Sequence, residues 1–255
     1  MVRRSTLADE VVQEIITRIE TLGLGPGDEI PPEGELAREF GVNRLVVREA
    51  IRTLVAREIL VSSQGRPSRV SVPSARVFGQ ILEFRLRQHS LGLHDLTQTR
   101  NVIEGELARL AARRPDGERD TTPARDILER QRAAGQDRAR FIELDIAFHA
   151  AIAELAGNEL LRLLLESLAD VLRAEREASY DGRVRRGEKH ALTLDAHASI
   201  LDAIDRGDPD EAATAMSRHL RETVLDLAQQ PTPTRTGPAD AAPPPTEETP
   251  REPIE

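Results

Sequence analysis

Over the first seventy positions, apolar residues recur at helical spacing and then give way to short β-favouring runs. From Leu7 to about Leu22, residues Val11, Val12, Ile15, Ile16 and Ile19 fall three and four apart. This predicts a helix, ended by Gly23, Gly25, Pro26 and Gly27. Pro31-Pro32 leads into a short helix over Glu33 to Phe40, with Gly41 as a turn residue, and a third helix is predicted from Asn43 to Arg57. Ile59 to Ser62 and Ser68 to Val72 are β-favouring and flank the turn signal Gln64-Gly65-Arg66-Pro67, which predicts a two-stranded hairpin. Three helices and a hairpin in this order are the layout of a winged helix-turn-helix, assigned here to residues 1–73.

Pro73-Ser74 marks a linker, and the pattern from 75 to 228 is helical throughout. Helices are predicted over 75–89, 93–113, 121–133, 137–156, 158–180, 187–206 and 209–228. Breaks are expected at Gly92, Pro115-Asp116-Gly117, near Gly135, at Gly157, near Asp181-Gly182 and at Gly207-Asp208-Pro209. Gly157-Asn158 reads as a helix stop followed by an N-cap. The fold class is therefore mainly α, with the N-terminal winged helix-turn-helix followed by an all-α bundle of about seven helices over 74–228. From Gln229 to Glu255 the chain is Pro-, Thr- and Glu-rich, cannot present an apolar face, and is expected to be a disordered tail.

Composition supports this picture. Aromatic residues make up 2% of the chain and there is no tryptophan, so the core must rest on Leu, Ile, Val and Ala, which suits helix-on-helix packing. The absence of cysteine excludes disulfides, thiolate metal ligands and a cysteine nucleophile. Lys189 is the single lysine, which disfavours Schiff-base chemistry. No run is apolar enough to span a bilayer, and Met1-Val2-Arg3-Arg4 is not followed by a signal-like apolar stretch, so a cytoplasmic location is expected. The net charge of −9 argues against nucleic acid until its distribution is read. Residues 38–69 hold Arg38, Arg44, Arg48, Arg52, Arg57, Arg66 and Arg69 against Glu39, Glu49 and Glu58, a local excess of positive charge.

On the third predicted helix, Val47, Ile51, Leu54 and Val55 share one side while Arg44, Arg48 and Arg52 stripe the other. Asn43 sits at the N-cap. A recognition helix offers its first turns to base edges, and arginine bonds guanine bidentately as well as phosphate. The alternative is a solvated helix whose arginines pair with nearby glutamates. The tri-helical context and the arginines of the hairpin favour Asn43, Arg44, Arg48, Arg52 and Arg66 as DNA-contacting residues. Farther along, Asp145 and His149 are i and i+4 on one helix face, and His197 and His219 lie on two later, partly apolar helices. One carboxylate and three imidazoles from three helices can enclose a divalent ion, although isolated core or surface histidines would leave the same pattern. His89, His94 and His190 read as exposed, with His190 a substitute ligand.

Two sets of motifs resemble a known family. Ile30-Pro31-Pro32-Glu33-Gly34-Glu35-Leu36-Ala37, then Val42-Asn43-Arg44-Leu45-Val46-Val47-Arg48-Glu49-Ala50-Ile51, then Gly65-Arg66-Pro67 resemble the GntR family of bacterial regulators across residues 7–72. Asp145-Ile146-Ala147-Phe148-His149, Ala156-Gly157-Asn158, His197 to Ile204, Gly207-Asp208 and His219-Leu220 are similar to the FCD effector domain of its FadR-type members. The resemblance implies operator contacts by Arg44 and Arg48 beside Asn43. It implies a metal (zinc first, nickel or manganese as alternatives) on Asp145, His149, His197 and His219. It also implies that Arg100, within Arg100-Asn101-Val102-Ile103-Glu104, pairs with a small carboxylate effector; a surface ion pair with Glu104 is the plainer reading of that spacing. Gly34, Leu45, Val46 and Pro67 depart from the family pattern, which bears on the operator sequence, and Ala196 replaces a usual acidic residue without removing a ligand.

The expected molecule is a homodimeric, ligand-responsive repressor on double-stranded operator DNA, without a membrane partner and without enzymatic activity. Two rivals are carried with it. One is a metalloregulator in which the metal is itself the signal. The other is a metal-dependent hydrolase, for which Glu143 or Asp195 would have to act as general base.

Overall fold

The computed structural model describes residues 6–63, 66–88, 93–185 and 190–228. The chain begins with α1 (Leu7–Thr21), α2 (Glu33–Glu39) and α3 (Arg44–Ala56), followed by β1 (Leu60–Val61) and β2 (Arg69–Val70). A capping box starts α1: Asp9 N–H donates to Thr6 Oγ1 over 3.1 Å and Thr6 N–H donates to Asp9 Oδ2 over 3.0 Å. Asn43 caps α3 by accepting from Leu45 N–H. The strands pair antiparallel with Leu60 opposite Val70 and Val61 opposite Arg69, a shorter ladder than the β-favouring runs predict. An isolated bridge between Glu29 and Arg69 ties the loop before α2 to this hairpin. Val11, Val12, Ile15, Ile30, Leu36, Val47, Ile51, Leu54, Leu60 and Val70 bury together as one core, so the apolar spacing of the sequence is the packing surface of the unit. The turn expected at Gln64-Gly65 and the tail expected from Gln229 onward lie outside the described residues.

The rest of the described chain is helical: α4 (Ala75–Arg87), α5 (Leu93–Arg113), α6 (Thr122–Ala134), α7 (Arg138–Ala156), α8 (Glu159–Ser167), α9 (Ala169–Arg185), α10 (Ala191–Asp205) and α11 (Pro209–Ala228). Two boundaries differ from those the sequence predicts. The helix expected over 158–180 breaks at Leu168, so eight helices stand among the described residues where about seven are expected. Leu168 carries no breaker side chain; its own burial in the core and the Ser167 Oγ–H bond to the Leu164 carbonyl accompany the turn. The break expected near Asp181-Gly182 is absent, and α9 runs through a buried Gly182. A mid-helix glycine costs about 1 kcal/mol, which tertiary packing can outweigh.

Gly157 does end α7, in the left-handed conformation at φ 69°, and Asn158 caps α8 by accepting from Leu161 N–H over 3.1 Å. The second core draws Leu107 and Ala108 from α5, Phe148 and Ile152 from α7, Ile200 and Ile204 from α10, and Met216 and Leu220 from α11. The longest helix pairing is α5 with α11, with α10 laid along α11 and α7 against α5 and α6. That arrangement brings the inner faces of α5, α7, α10 and α11 to one place. Among the described residues no helix is long and apolar enough to cross a membrane.

Candidate functional site

Arg44, Arg48 and Arg52 all lie on the exposed side of α3, opposite the buried Val47, Ala50, Ile51 and Leu54. Arg48 lays its guanidinium along the Glu33 carboxylate of α2, with Nη2 at 3.0 Å and Nε at 3.2 Å from Oε2. That hydrogen bond raises the Arg48 pKa above its ordinary value. Arg44 folds over Gly34, where a Cβ would collide with its guanidinium. The side chain of Arg44 thus lies against the position where this glycine departs from the family pattern. Arg52 is exposed with no ion pair among the described residues, and Arg66 is exposed beside the wing. Leu45, 67% exposed, adds an apolar point to the same surface.

In the helical unit, all four residues expected to bind a metal are buried and converge. Their candidate ligand atoms lie within 4.8 Å of one another. His219 Nε2 is 3.3 Å from both His197 Nε2 and His149 Nε2, and Asp145 Oδ1 is 3.5 Å from His197 Nε2. Nitrogen ligands about 2.0–2.1 Å from a tetrahedral zinc stand about 3.3–3.4 Å apart, so the spacing suits such an ion. The donor chemistry points the same way. His197 Nδ1 faces Gln131 Oε1 at 2.9 Å and His149 Nδ1 faces Glu104 Oε2 at 2.5 Å, both acceptors. Both rings then turn an Nε2 lone pair toward the centre, and His219 can donate to only one of them. A cation satisfies all three. Burial holds His197 down to about 3 and His219 well below the ordinary imidazole value, so both are neutral, the ligating form. Burial alone would raise the Asp145 carboxyl, but Arg176, with Nε 2.6 Å from Oδ2, and the neighbouring imidazoles hold it well below the carboxylate range.

A small, half-open cavity of about 30 Å³ adjoins the cluster. Its lining includes Arg100, Asp145, Arg176, Arg183, Thr193 and His219. Arg100 is 1% exposed, not a surface residue. Its Nε donates to Glu104 Oε1 over 2.7 Å and its Nη1 to Glu175 Oε2 over 2.9 Å. Burial would lower the Arg100 pKa, but the two carboxylates raise it beyond its ordinary value. Arg183 Nη1 donates to Thr193 Oγ1 over 2.8 Å. His190, read from the sequence as exposed, is half-buried at the cavity, stacked on Tyr180 with ring centroids 4.2 Å apart, and is not part of the Asp/His cluster. His89 and the side chain of His94 lie outside the described residues. Glu143 and Asp195 are exposed and take no part in the cluster.

Sequence reading missed Gln131, Glu175, Arg176 and Arg183, and gave Glu104 only as an ion-pair partner of Arg100, a pair the structure forms but buries. A signal existed for some of them. Gln131 continues the buried spacing of Ala124 and Leu128 on α6, and Arg176 and Arg183 are seven apart on α9.

Two family models match the chain: bacterial regulatory proteins of the gntR family over residues 7–70, and the FCD domain over residues 95–222. The HTH-type transcriptional repressor NanR of Cronobacter sakazakii is 34% identical over 224 residues, covering 85% of this chain and 84% of that protein. The protein of the same name from Escherichia coli K12 is 32% identical over 220 residues, covering 85% and 82%. Among solved structures, one described as Streptococcus agalactiae GntR superposes with a TM-score of 0.62 at 23% identity, over 87% of this chain and 99% of that chain. That likeness is one of fold.

Proposed function

The chain belongs to the gntR family of bacterial regulatory proteins and carries an FCD domain, and from that premise we propose that it is a metal-containing repressor released or engaged by a small organic acid. Family membership makes it a transcriptional regulator, not an enzyme. In this reading a homodimer in the cytoplasm sets two copies of α3 on a near-palindromic operator. Repression is supported by the names of the NanR relatives. Arg44, Arg48 and Arg52 reach bases and phosphates, Arg66 follows the adjacent backbone, and Asn43 fixes the start of the helix. Leu45 offers methyl groups at the same surface, suited to the methyl of thymine.

Asp145, His149, His197 and His219 would hold a divalent cation, with zinc first and nickel or manganese also compatible with one carboxylate and three imidazoles. When bound, such an ion supplies an electrophilic point for an anionic oxygen. The observation that carries the sensing role is the cavity itself: it opens beside the cluster and is lined by Arg176 and Arg183. A carboxylate there meets fixed positive charge and buried hydrogen-bond donors. It changes operator affinity only if it binds one dimer geometry better than another.

A thermal-shift screen of small organic acids on zinc-loaded protein tests this, followed by operator gel shifts with each compound that raises the melting temperature. A specific acid that raises stability and alters operator binding is the expected result. Operator binding that follows metal addition and chelation, with no acid effective, would instead favour the metal as the signal.

A further inference from the structure

Three histidines can hold one cation only if each turns a lone-pair nitrogen toward it, and a neutral imidazole has a lone pair on just one of its two. Something must choose that nitrogen for each ring. For His197 the choice falls to Gln131, which is fully buried on α6. Its Nε2 lies 3.4 Å from the Phe141 carbonyl and 3.3 Å from Asp145 Oδ1, two acceptors, so the amide cannot turn over without losing both. Its Oε1 is therefore the atom facing His197 Nδ1 at 2.9 Å, and that ring must carry its hydrogen on Nδ1. For His149 the choice falls to Glu104, whose Oε2 lies 2.5 Å from Nδ1. Glu104 is held in turn by Arg100, and Arg100 by Glu175. Paired at Oε1 with the Arg100 guanidinium, Glu104 is a carboxylate, which accepts and does not donate.

We infer that Gln131 and the Arg100–Glu104 pair are positioning residues of the cation centre, fixing His197 and His149 with hydrogen on Nδ1 and the lone pair of Nε2 turned inward. This rests on the cation reading of the cluster given above. Arg100 acts here through Glu104: its Nε donates to Glu104 and its Nη1 to Glu175, while the residue also lines the cavity. His219 is the contrasting ring. Its buried Nδ1 has neither a hydrogen-bond partner nor a carboxylate against it among the described residues, whereas that of His149, though it also lacks a hydrogen bond of good geometry, has Glu104 Oε2 at 2.5 Å; the Nε2 of His219 sits 3.3 Å from each of the other two. In the metal-stripped protein its hydrogen belongs on Nε2, pointing at a neighbour's lone pair. A neutral ring that gives Nε2 to a cation must carry its hydrogen on Nδ1. The centre therefore has two rings set in advance and one that adjusts.

Histidine ¹⁵N NMR on the metal-stripped full chain reads this directly. His149 and His197 are expected as Nδ1–H tautomers and His219 as the Nε2–H tautomer, changing when zinc is added. His197 or His149 with its hydrogen on Nε2 would overturn the inference, and no variant needs to fold for that result. Zinc affinity by chelator competition gives the second readout. Gln131→Met, Glu104→Leu and Arg100→Gln should each bind zinc about 10- to 100-fold more weakly, the range for residues that orient a ligating histidine. Glu104→Gln keeps an acceptor oxygen and should lose less than Glu104→Leu. Wild-type zinc affinity in all of these folded variants would overturn the positioning role. A wild-type chain that takes up neither zinc, nickel nor manganese would overturn the cation reading itself, a separate result.

Discussion

Arg48 illustrates how one side chain serves two states. Paired with Glu33 it is oriented across the α2–α3 edge, and the pair is exposed enough that water screens it. Exchanging that carboxylate for a base edge is then inexpensive. Replacing Arg44 or Arg48 with Ala should weaken operator binding by about 1–3 kcal/mol if the lost contact is to a base, measured by gel shift on a selected operator. For Leu45 the selected operator should contain a thymine whose replacement by uracil weakens the wild type but not Leu45→Ala, since only the 5-methyl is removed; equal loss in both proteins would remove Leu45 from the reading surface. In the helical unit, Tyr180 is the chain's only tyrosine and there is no tryptophan, so intrinsic emission reports the cavity. Burial, aided by Arg183, lowers the pKa of His190, stacked on that ring. Tyr180 emission should therefore titrate with a midpoint below the ordinary imidazole value of about 6.5. Because the unfolded chain would take up that proton first, His190 favours the folded state less as pH falls below that value.

At the scale of elements, close contacts reveal which helices must stay in register. Gly79 lets α4 approach the end of α8 so closely that a Cβ would sit 2.6 Å from the Ser167 carbonyl oxygen. That oxygen is backbone and cannot swing aside. Gly79→Ala should destabilise the folded chain by about 1–3 kcal/mol, seen as a lower denaturant midpoint with unchanged slope; a neutral result would mean that α4 can slide along α8. Packing also sets where these helices break. Nothing in Glu166-Ser167-Leu168-Ala169 announces a break, because the turn there is set by what Leu168 and Ser167 pack against. Conversely Asp181-Gly182 looks like a break and is not, because Gly182 is buried within a helix whose Arg176, Ser179 and Arg183 all face inward.

For the whole molecule, the core of the N-terminal unit shares no residue with the main core of the helical unit, and the Asp145, His149, His197 and His219 cluster lies on α7, α10 and α11 of that unit. An ion bound only by the folded bundle stabilises it by mass action, about 2.7 kcal/mol when free metal exceeds its dissociation constant a hundredfold. Exhaustive chelation should therefore lower the melting temperature of the helical unit, and zinc should restore it. No change on chelation of a protein shown to contain metal would place the ion outside the fold's stabilising network. In the proposed dimer, an acid that alters operator affinity must also bind with altered affinity when operator is present, as linkage requires.

The sequence by itself determined the class of elements and most of their bounds, because apolar spacing, caps and glycines act locally. It placed Asn43 as a cap and ended α7 at Gly157. It also singled out Asp145 and His149 as sharing a helix face. That His197 and His219 join them, 48 and 70 positions from His149, was legible only through family resemblance, since convergence depends on how α10 and α11 pack. Tertiary structure alone decided that Arg100 is buried and doubly paired, and that Gln131 and Glu104 stand behind the histidines. A hydrogen bond between residues tens of positions apart leaves no periodic trace in either segment. The same physics that makes such groups costly to bury unpaired makes their partners visible once the helices are assembled.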